Sequence, residues 1–132
     1  DFKNPIVNPN QVPTEQIHWH PKLIIRINGE SVQIPNNIGL SPNLHSPTHT
    51  HDEIDGTIHL ENMNPSSQPE TMSLGYFFNL WKQPFNKKCI LNKCISSDSE
   101  ELHMYINGEE NFEFENYIFQ GEERILIEFI SK

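Results

Sequence analysis

The sequence predicts an α+β fold in which one helix packs on one face of a mixed β-sheet. Three observations predict it: an Asn-Gly turn between two β-branched runs, one short segment with a helical apolar face, and strand-like segments towards the C-terminus. The chain has 132 residues, which suits one domain with one modest core.

The first hairpin is predicted from strands near 22–27 and 31–34 with Asn28-Gly29 between them. Asn-Gly between β-branched runs is the strongest short hairpin signal, because both residues tolerate positive φ. A similar unit, Asn107-Gly108, follows the strand-like run LHMYI. Further strands are predicted at 57–61 (TIHLE) and in ERILIEFI near the end of the chain.

The helix is predicted in the segment SLGYFFNLW, with Ser73 as its N-cap and Pro84 as its stop. Four apolar side chains recur at i, i+3, i+4 and i+7, which is the spacing of one helical face: Leu74, Phe77, Phe78 and Trp81. This face is expected to cover the apolar side of the sheet.

Hairpin, helix and two more strands is the order of a β-grasp (ubiquitin-like) domain, and the ending FQGEERILIEF resembles β-grasp sequences. Residues 17–132 are predicted to form this single domain, preceded by an extended arm at 1–16. Prolines and a glycine in 35–55 predict a long loop rich in histidine.

The net charge of the chain limits the classes of partner that it can bind. With 18 acidic and 9 basic residues, its formal net charge is -9. We expect no nucleic acid as a partner, and an anionic membrane surface is a poor one, because phosphate contacts need Lys and Arg. No stretch approaches the roughly 20 apolar residues of a membrane span, so we expect no membrane insertion of this segment. Cations suit the negative field.

Two cysteines, Cys89 and Cys94, indicate the compartment. Their C-x4-C spacing favours one short-loop disulfide formed in an oxidising environment, with two free thiols or a thiolate metal ligand as alternatives. The chain begins at Asp1 in a polar segment without Met. We therefore expect an upstream signal or anchor and an extracytoplasmic location: secreted, periplasmic or on the cell surface.

Seven histidines are the most distinctive feature of the sequence. Side chains alternate along a strand, so His18 and His20 share one face, and His59 shares a face with Glu61. Both faces are predicted to be the polar ones, turned away from the helix. The proline-rich loop with His49 and His51 is expected to fold over them.

This pattern predicts a site for copper(II) or zinc(II), because imidazole is the commonest protein ligand of both ions. The candidate ligands are five histidines: His18, His20, His49, His51 and His59. Asp52 and Glu61 are expected to accept the second ring N–H of a ligand and so orient it, or to ligate themselves. His45 is a weaker candidate, and His103 is expected to be a lone surface histidine. Scattered polar histidines are the alternative.

Four motifs resemble a family of small extracytoplasmic proteins of archaea and bacteria. They are listed by position: His18-Trp19-His20, His49-Thr50-His51-Asp52, Gly56 to Glu61, and Leu74 to Trp81. The resemblance covers about residues 17–130. It implies a secretion signal or anchor and a shared histidine metal site, and it implies no particular activity.

Three functions remain open. The first is capture, storage or delivery of Cu(II) or Zn(II), with a protein partner for metal transfer. The second is a zinc hydratase or hydrolase with three histidines and a water, using Asp52, Glu53 or Glu61 as the base. No H-E-x-x-H signature is present, so the sequence leans away from an enzyme. The third is an interaction domain rigidified by metal.

Overall fold

The computed structural model describes residues 17–41, 44–51, 55–62 and 69–132. The predicted arm at 1–16 and Asp52 lie outside the described residues. In chain order the strands are β1 (Ile17–Trp19), β2 (Lys22–Ile27), β3 (Glu30–Val32), β4 (Leu40–Ser41), β5 (Leu44–His45), β6 (Thr48–His49), β7 (His59–Asn62), β8 (Cys89–Ile90), β9 (Lys93–Cys94), β10 (Glu100–Ile106), β11 (Glu109–Glu110) and β12 (Arg124–Ser131). The helix α1 spans Leu74–Trp81, and short 3-10 helices lie at Pro69–Met72 and Phe114–Asn116.

The larger sheet has five strands in the order β11-β10-β12-β2-β3. Its pair β12 and β2 is parallel, with Ile125 beside Leu23, whereas the other pairs are antiparallel. Along β2, Leu23 and Ile25 are buried and Arg26 is exposed, which is the alternation of a strand with one face on the core. The predicted α+β class is confirmed.

Asn-Gly turns close the hairpins β2–β3 and β10–β11. The φ angles are 52° and 84° at Asn28 and Gly29, and 51° and 87° at Asn107 and Gly108. Positive φ at both central residues is what a type I′ hairpin turn requires. The predicted first hairpin is therefore confirmed, with its second strand at Glu30–Val32 instead of 31–34.

The helix begins where its sequence indicates. The Ser73 side chain accepts a hydrogen bond from the Tyr76 backbone N–H at 3.1 Å, and Lys82 ends the helix with a φ of 61°, two residues before Pro84. Three apolar side chains of the helix are completely buried: Leu74, Phe77 and Phe78. Burial of each contributes roughly 1.5–3 kcal/mol, so this face fixes the helix in the same core as the larger sheet.

A second, smaller sheet carries the histidines. Its order is β1-β7-β6, and both of its strand pairs are antiparallel. Strands β1 and β2 belong to different sheets, because the chain leaves the small sheet at His20 and enters the larger one at Lys22. Pro21, between them, has no N–H for a sheet ladder. Its carbonyl accepts a hydrogen bond from the Ile58 N–H at 2.8 Å.

The prediction of a loop at 35–55 is wrong in part, because β4, β5 and β6 lie within that range. The backbone at Gly39 approaches the backbone at Thr48 closely. A Cβ built on Gly39 would lie 2.6 Å from the Thr48 carbonyl oxygen, and Gly39 has a φ of 77°. Only glycine permits both the approach and the angle. His49 consequently lies in a sheet strand and not in a loop folded over the sheet.

The two cysteines form the predicted disulfide. Cys89 and Cys94 are directly opposite each other in the antiparallel pair β8–β9, with their Cα atoms 4.1 Å apart. The alternatives of free thiols and of a thiolate metal ligand are excluded for this state of the protein.

Candidate metal centre

The three strands of the small sheet present histidines on one face. In β7, His59 and Glu61 are two residues apart, so their side chains point to the same side. Strand β1 places His18 directly opposite Glu61, and β6 places His49 directly opposite His59. Leu60, between the two β7 residues, points the other way and is completely buried in the core.

Five imidazole rings follow one another across this face, and we call them the histidine row: His18, His20, His59, His49 and His51. Along the row, neighbouring ring centroids are 4.8, 4.9, 5.7 and 4.6 Å apart. His51 also contacts His59, with centroids 4.4 Å apart. These are the five histidines singled out in the sequence.

The His-Thr-His segment is held by the threonine between the two histidines. Thr50 is buried, and its hydroxyl donates to the Pro35 carbonyl at 2.9 Å while accepting from the Ile38 N–H at 2.9 Å. The Thr50 N–H donates in turn to the Ile38 carbonyl at 2.9 Å. This fixes the extended backbone, so that His49 and His51 are held on the side opposite to Thr50.

Three residues converge on one point, and we call them the inner triad: His49, His51 and Glu61. His49 Nε2 lies 3.1 Å from His51 Nε2 and 3.0 Å from Glu61 Oε1, and His51 Nε2 lies 3.8 Å from the same oxygen. Zinc–ligand bonds of about 2.0–2.2 Å place the ligands of a tetrahedral ion about 3.3–3.6 Å apart. One ligand atom from each residue can therefore hold a metal ion.

The orientation of His49 is set by a backbone carbonyl. Its Nδ1 lies 2.7 Å from the Ser46 carbonyl oxygen, which can only accept a hydrogen bond. Nδ1 must therefore carry the proton, and in the neutral ring the lone pair is left on Nε2. Nε2 is the atom that faces His51 and Glu61. A ligating histidine anchored through its other nitrogen is the usual arrangement in metal sites.

The triad joins a buried member to two accessible ones. The His49 side chain is 0% exposed, whereas those of Glu61 and His51 are 33% and 42% exposed. Partial burial opposes ionisation of Glu61, but in the metal-free protein a protonated His49 outweighs this through its charge and its Nε2–H hydrogen bond, and so lowers the pKa of the carboxyl. A metal ion would take the place of that proton on Nε2. An ionised Glu61 can thus offer an oxygen ligand to a cation that enters from solvent.

The remaining sequence candidates do not join the triad in the described part of the chain. His18, His20 and His59 belong to the histidine row outside it. Asp52 lies outside the described residues, and for His45 only the backbone, in β5, is described. Ser46 was not among the predicted site residues. It orients His49 through its backbone carbonyl, which no side-chain pattern signals.

His103 lies on the larger sheet, away from the histidine row. It is not the lone surface histidine that was predicted. Its Nδ1 is 2.7 Å from Glu110 and its Nε2 is 2.9 Å from Glu101. Hydrogen bonds from Glu101 and Glu110 raise the pKa of His103, despite partial burial.

Comparison with protein-family models, with curated proteins and with solved structures gives no match for the chain. The resemblance seen in the four histidine and aromatic motifs therefore stays a prediction. Within the described residues, no helix has both the length and the apolar character needed to cross a membrane.

Proposed function

We propose that this protein binds Cu(II) or Zn(II) through His49, His51 and Glu61, outside the cytoplasm, to capture, store or deliver the ion. The observation that carries the proposal is the convergence of three ligand atoms, all within 4.8 Å of one another, around a histidine whose tautomer is set by a carbonyl.

The donor set supports this choice of metals. Two imidazoles and one carboxylate suit Zn(II) and Cu(II), whereas Ca²⁺ and Mg²⁺ prefer oxygen ligands alone. Cu(I) prefers thiolates and thioethers, but both cysteines of the chain are in the disulfide. The net charge of -9 supports capture, because a negative field concentrates cations near the site.

The disulfide supports an oxidising, extracytoplasmic compartment, whether secreted, periplasmic or on the cell surface. Delivery in such a compartment requires a protein partner that accepts the ion. The exposed edge of the triad, at His51 and Glu61, is where a partner's ligands would reach it.

Zinc-dependent hydrolysis or hydration is the second candidate. Two histidines and one glutamate are the protein ligands of several zinc hydrolases, in which the fourth position holds a water activated by the metal. The inner triad has the two histidines and one glutamate of such hydrolases, whereas three histidines were expected from the sequence for a zinc enzyme. Turnover of an activated ester or of CO2 by the zinc-loaded protein, abolished by Glu61→Gln, would make the protein an enzyme.

We also propose that the α+β fold is of the β-grasp type. It is supported by the sheet order, in which the last strand, β12, lies parallel to the first hairpin strand, β2, at the centre. The single described α-helix falls between the hairpin and the last strands in the chain.

The test is a titration of metal-free protein, produced without a histidine tag, with ZnCl2 or CuCl2 by calorimetry. We expect binding in the wild type and a loss of about 100-fold or more in affinity in His51→Gln and Glu61→Gln, since even residues that only orient a ligand are worth 10–100-fold. Both side chains are partly exposed, so these variants should fold.

His103→Gln is the matched control, because it removes an imidazole that is paired with glutamates on the other sheet. We expect it to bind metal like the wild type. Equal affinity in wild type, His51→Gln and Glu61→Gln would overturn the proposed function.

A further inference from the structure

The larger sheet has an outer face, on the side opposite to the buried core. In β2, the side chains of Ile24 and Arg26 alternate with buried ones. In β12, those of Arg124, Leu126 and Glu128 do the same. The two strands are parallel neighbours, with Ile24 beside Leu126 and Arg26 beside Glu128. These side chains therefore form one surface, on a different sheet from the histidine row.

A cavity of about 670 Å³ opens on this outer face, and we call it the outer groove. Strand β10 contributes to it as well, because Tyr105 is paired directly with Leu126. The lining includes three partly buried apolar or aromatic side chains and three charged ones: Ile24, Tyr105 and Leu126, and Arg26, Arg124 and Glu128. Small-molecule sites occupy roughly 300–1,000 Å³ and combine apolar walls with a few polar groups, so the groove has the dimensions of such a site.

Two arginines give the outer groove its chemistry. Arg26 and Arg124 are the only arginines in the chain, and both are exposed. Within the described ranges, neither guanidinium has a salt-bridge partner, although 18 residues of the chain are acidic. Arg26 follows Ile24 by two residues in β2, and Arg124 precedes Leu126 by two in β12, so the arginines flank the apolar pair from both ends. An anion above this pair can therefore contact both guanidiniums.

The charge of the groove selects among anions. A guanidinium presents its N–H groups as a planar fork that matches a carboxylate. Two arginines against Glu128 leave the groove one positive charge in excess, in a chain whose net charge is -9. A monoanion balances this excess, whereas a dianionic phosphate would be repelled by Glu128 and by the negative field of the whole chain.

We propose that the outer groove binds a small organic monocarboxylate that carries an apolar chain. The carboxylate lies between Arg26 and Arg124, and the chain packs on Ile24, Leu126 and Tyr105. Ion pairs are weak at an exposed site, so the apolar contact supplies much of the affinity. Because the groove and the inner triad lie on different sheets, this binding requires no metal ion.

The test is a calorimetric titration of the untagged, metal-free protein with octanoate, and with acetate and 1-octanol, each of which has one half of the ligand. The double variant Arg26→Gln/Arg124→Gln removes the guanidiniums. The control Lys87→Gln/Lys88→Gln removes the same charge from two exposed lysines outside the groove. We expect octanoate to bind the wild type and the control alike.

The arginine variant should bind octanoate at least about tenfold more weakly, since a hydrogen bond to a charged group is worth roughly an order of magnitude in affinity. Acetate and 1-octanol should bind the wild type at least about tenfold more weakly than octanoate does. Amide NMR spectra of the wild type locate the ligand without any substitution: octanoate should shift signals of β2, β10 and β12, and leave those of His49 and His51 in place.

Four results would overturn the proposal. Equal octanoate affinity in the wild type and the arginine variant would exclude the groove arginines, and equal weakening in the lysine control would reduce the effect to net charge. Tighter binding of octyl phosphate than of octanoate would contradict the choice of a monocarboxylate. A wild-type dimer that the arginine substitutions dissociate would mean that a second copy of the chain covers this face.

Discussion

His49 and His103 lie on strands of two different sheets, and their surroundings differ at both ring nitrogens. His103 has a glutamate at each nitrogen, at 2.7 and 2.9 Å, which is the environment of a protonated imidazole. His49 has a backbone carbonyl at one nitrogen and, at the other, both a second histidine and a glutamate.

This difference separates the proposed metal ligand, His49, from the ion-pairing histidine, His103. At His103, the two glutamates raise the pKa and so favour a proton on each nitrogen, and a ring protonated at both nitrogens has no lone pair for an ion. At His49, the Nε2 atoms of two histidines are 3.1 Å apart, and two N–H groups cannot face each other at this distance. Either one nitrogen lacks a proton or a metal ion replaces the proton between them.

The largest effect on the free energy of unfolding should come from shortening a buried leucine next to each of the two sites, Leu60 in β7 and Leu102 in β10. Leu60, on the buried side of β7, is 0% exposed, and Leu102, beside His103 in β10, is 7% exposed. Leu→Ala at such positions costs about 2–5 kcal/mol, and urea unfolding of the metal-free proteins would measure this loss. We expect a loss of this size in both variants, and weaker zinc binding only in Leu60→Ala.

The two leucine variants test whether the metal centre depends on its own sheet. Leu102→Ala matches the chemistry of Leu60→Ala but lies in the larger sheet. If both variants lost zinc affinity equally, the centre would depend on global stability, and the distinction between the two regions would fail.

The next effect is the stabilisation by zinc. An ion that binds only the folded state at 100 times its dissociation constant adds about 2.7 kcal/mol to the free energy of unfolding. We expect a corresponding rise in Tm for the wild type and for His103→Gln, measured by calorimetry, and little or none for Glu61→Gln. A rise of the same size in Glu61→Gln would show that zinc stabilises the protein from a different site.

The local elements could be predicted from the sequence because their signals are local. Asn28-Gly29 defines a turn through its own φ angles, and Ser73 caps the helix through an N–H three residues away. Alternation likewise placed His59 and Glu61 on one face. Such features involve residues that are close in the chain, so no knowledge of strand pairing is needed.

The selection of the inner triad required information that the sequence does not contain. Whether His49 faces His59 depends on the register of the antiparallel pair β6–β7, in which these two residues are directly opposite each other. Glu61 was predicted mainly to orient a ligand, but the opposing strands bring its Oε1 within 3.0 Å of His49 Nε2. The break at Pro21 likewise follows from tertiary pairing with Ile58 and not from the hydrophobic pattern.

The smallest effect should be the pH dependence contributed by His103. Its pKa is raised in the folded protein by hydrogen bonds to Glu101 and Glu110, so folding favours the protonated ring. The stabilisation is fully present below the unfolded pKa of about 6.5 and is lost as the pH rises through the higher folded pKa. For partly accessible pairs such as these, the contribution should be below about 1 kcal/mol.

This contribution can be isolated in metal-free protein. We expect His103→Gln to be less stable than the wild type at pH 6 and close to it at pH 9, by urea unfolding, with a smaller difference in high salt because accessible charges are screened. The variant His51→Gln serves as the comparison, because among the described residues His51 does not have a glutamate at each ring nitrogen. A deficit in His103→Gln that is the same at both pH values would mean that the ring contributes packing and not charge. Such a result would contradict the interpretation that His103 differs from His49 by carrying a charge stabilised by its two glutamates.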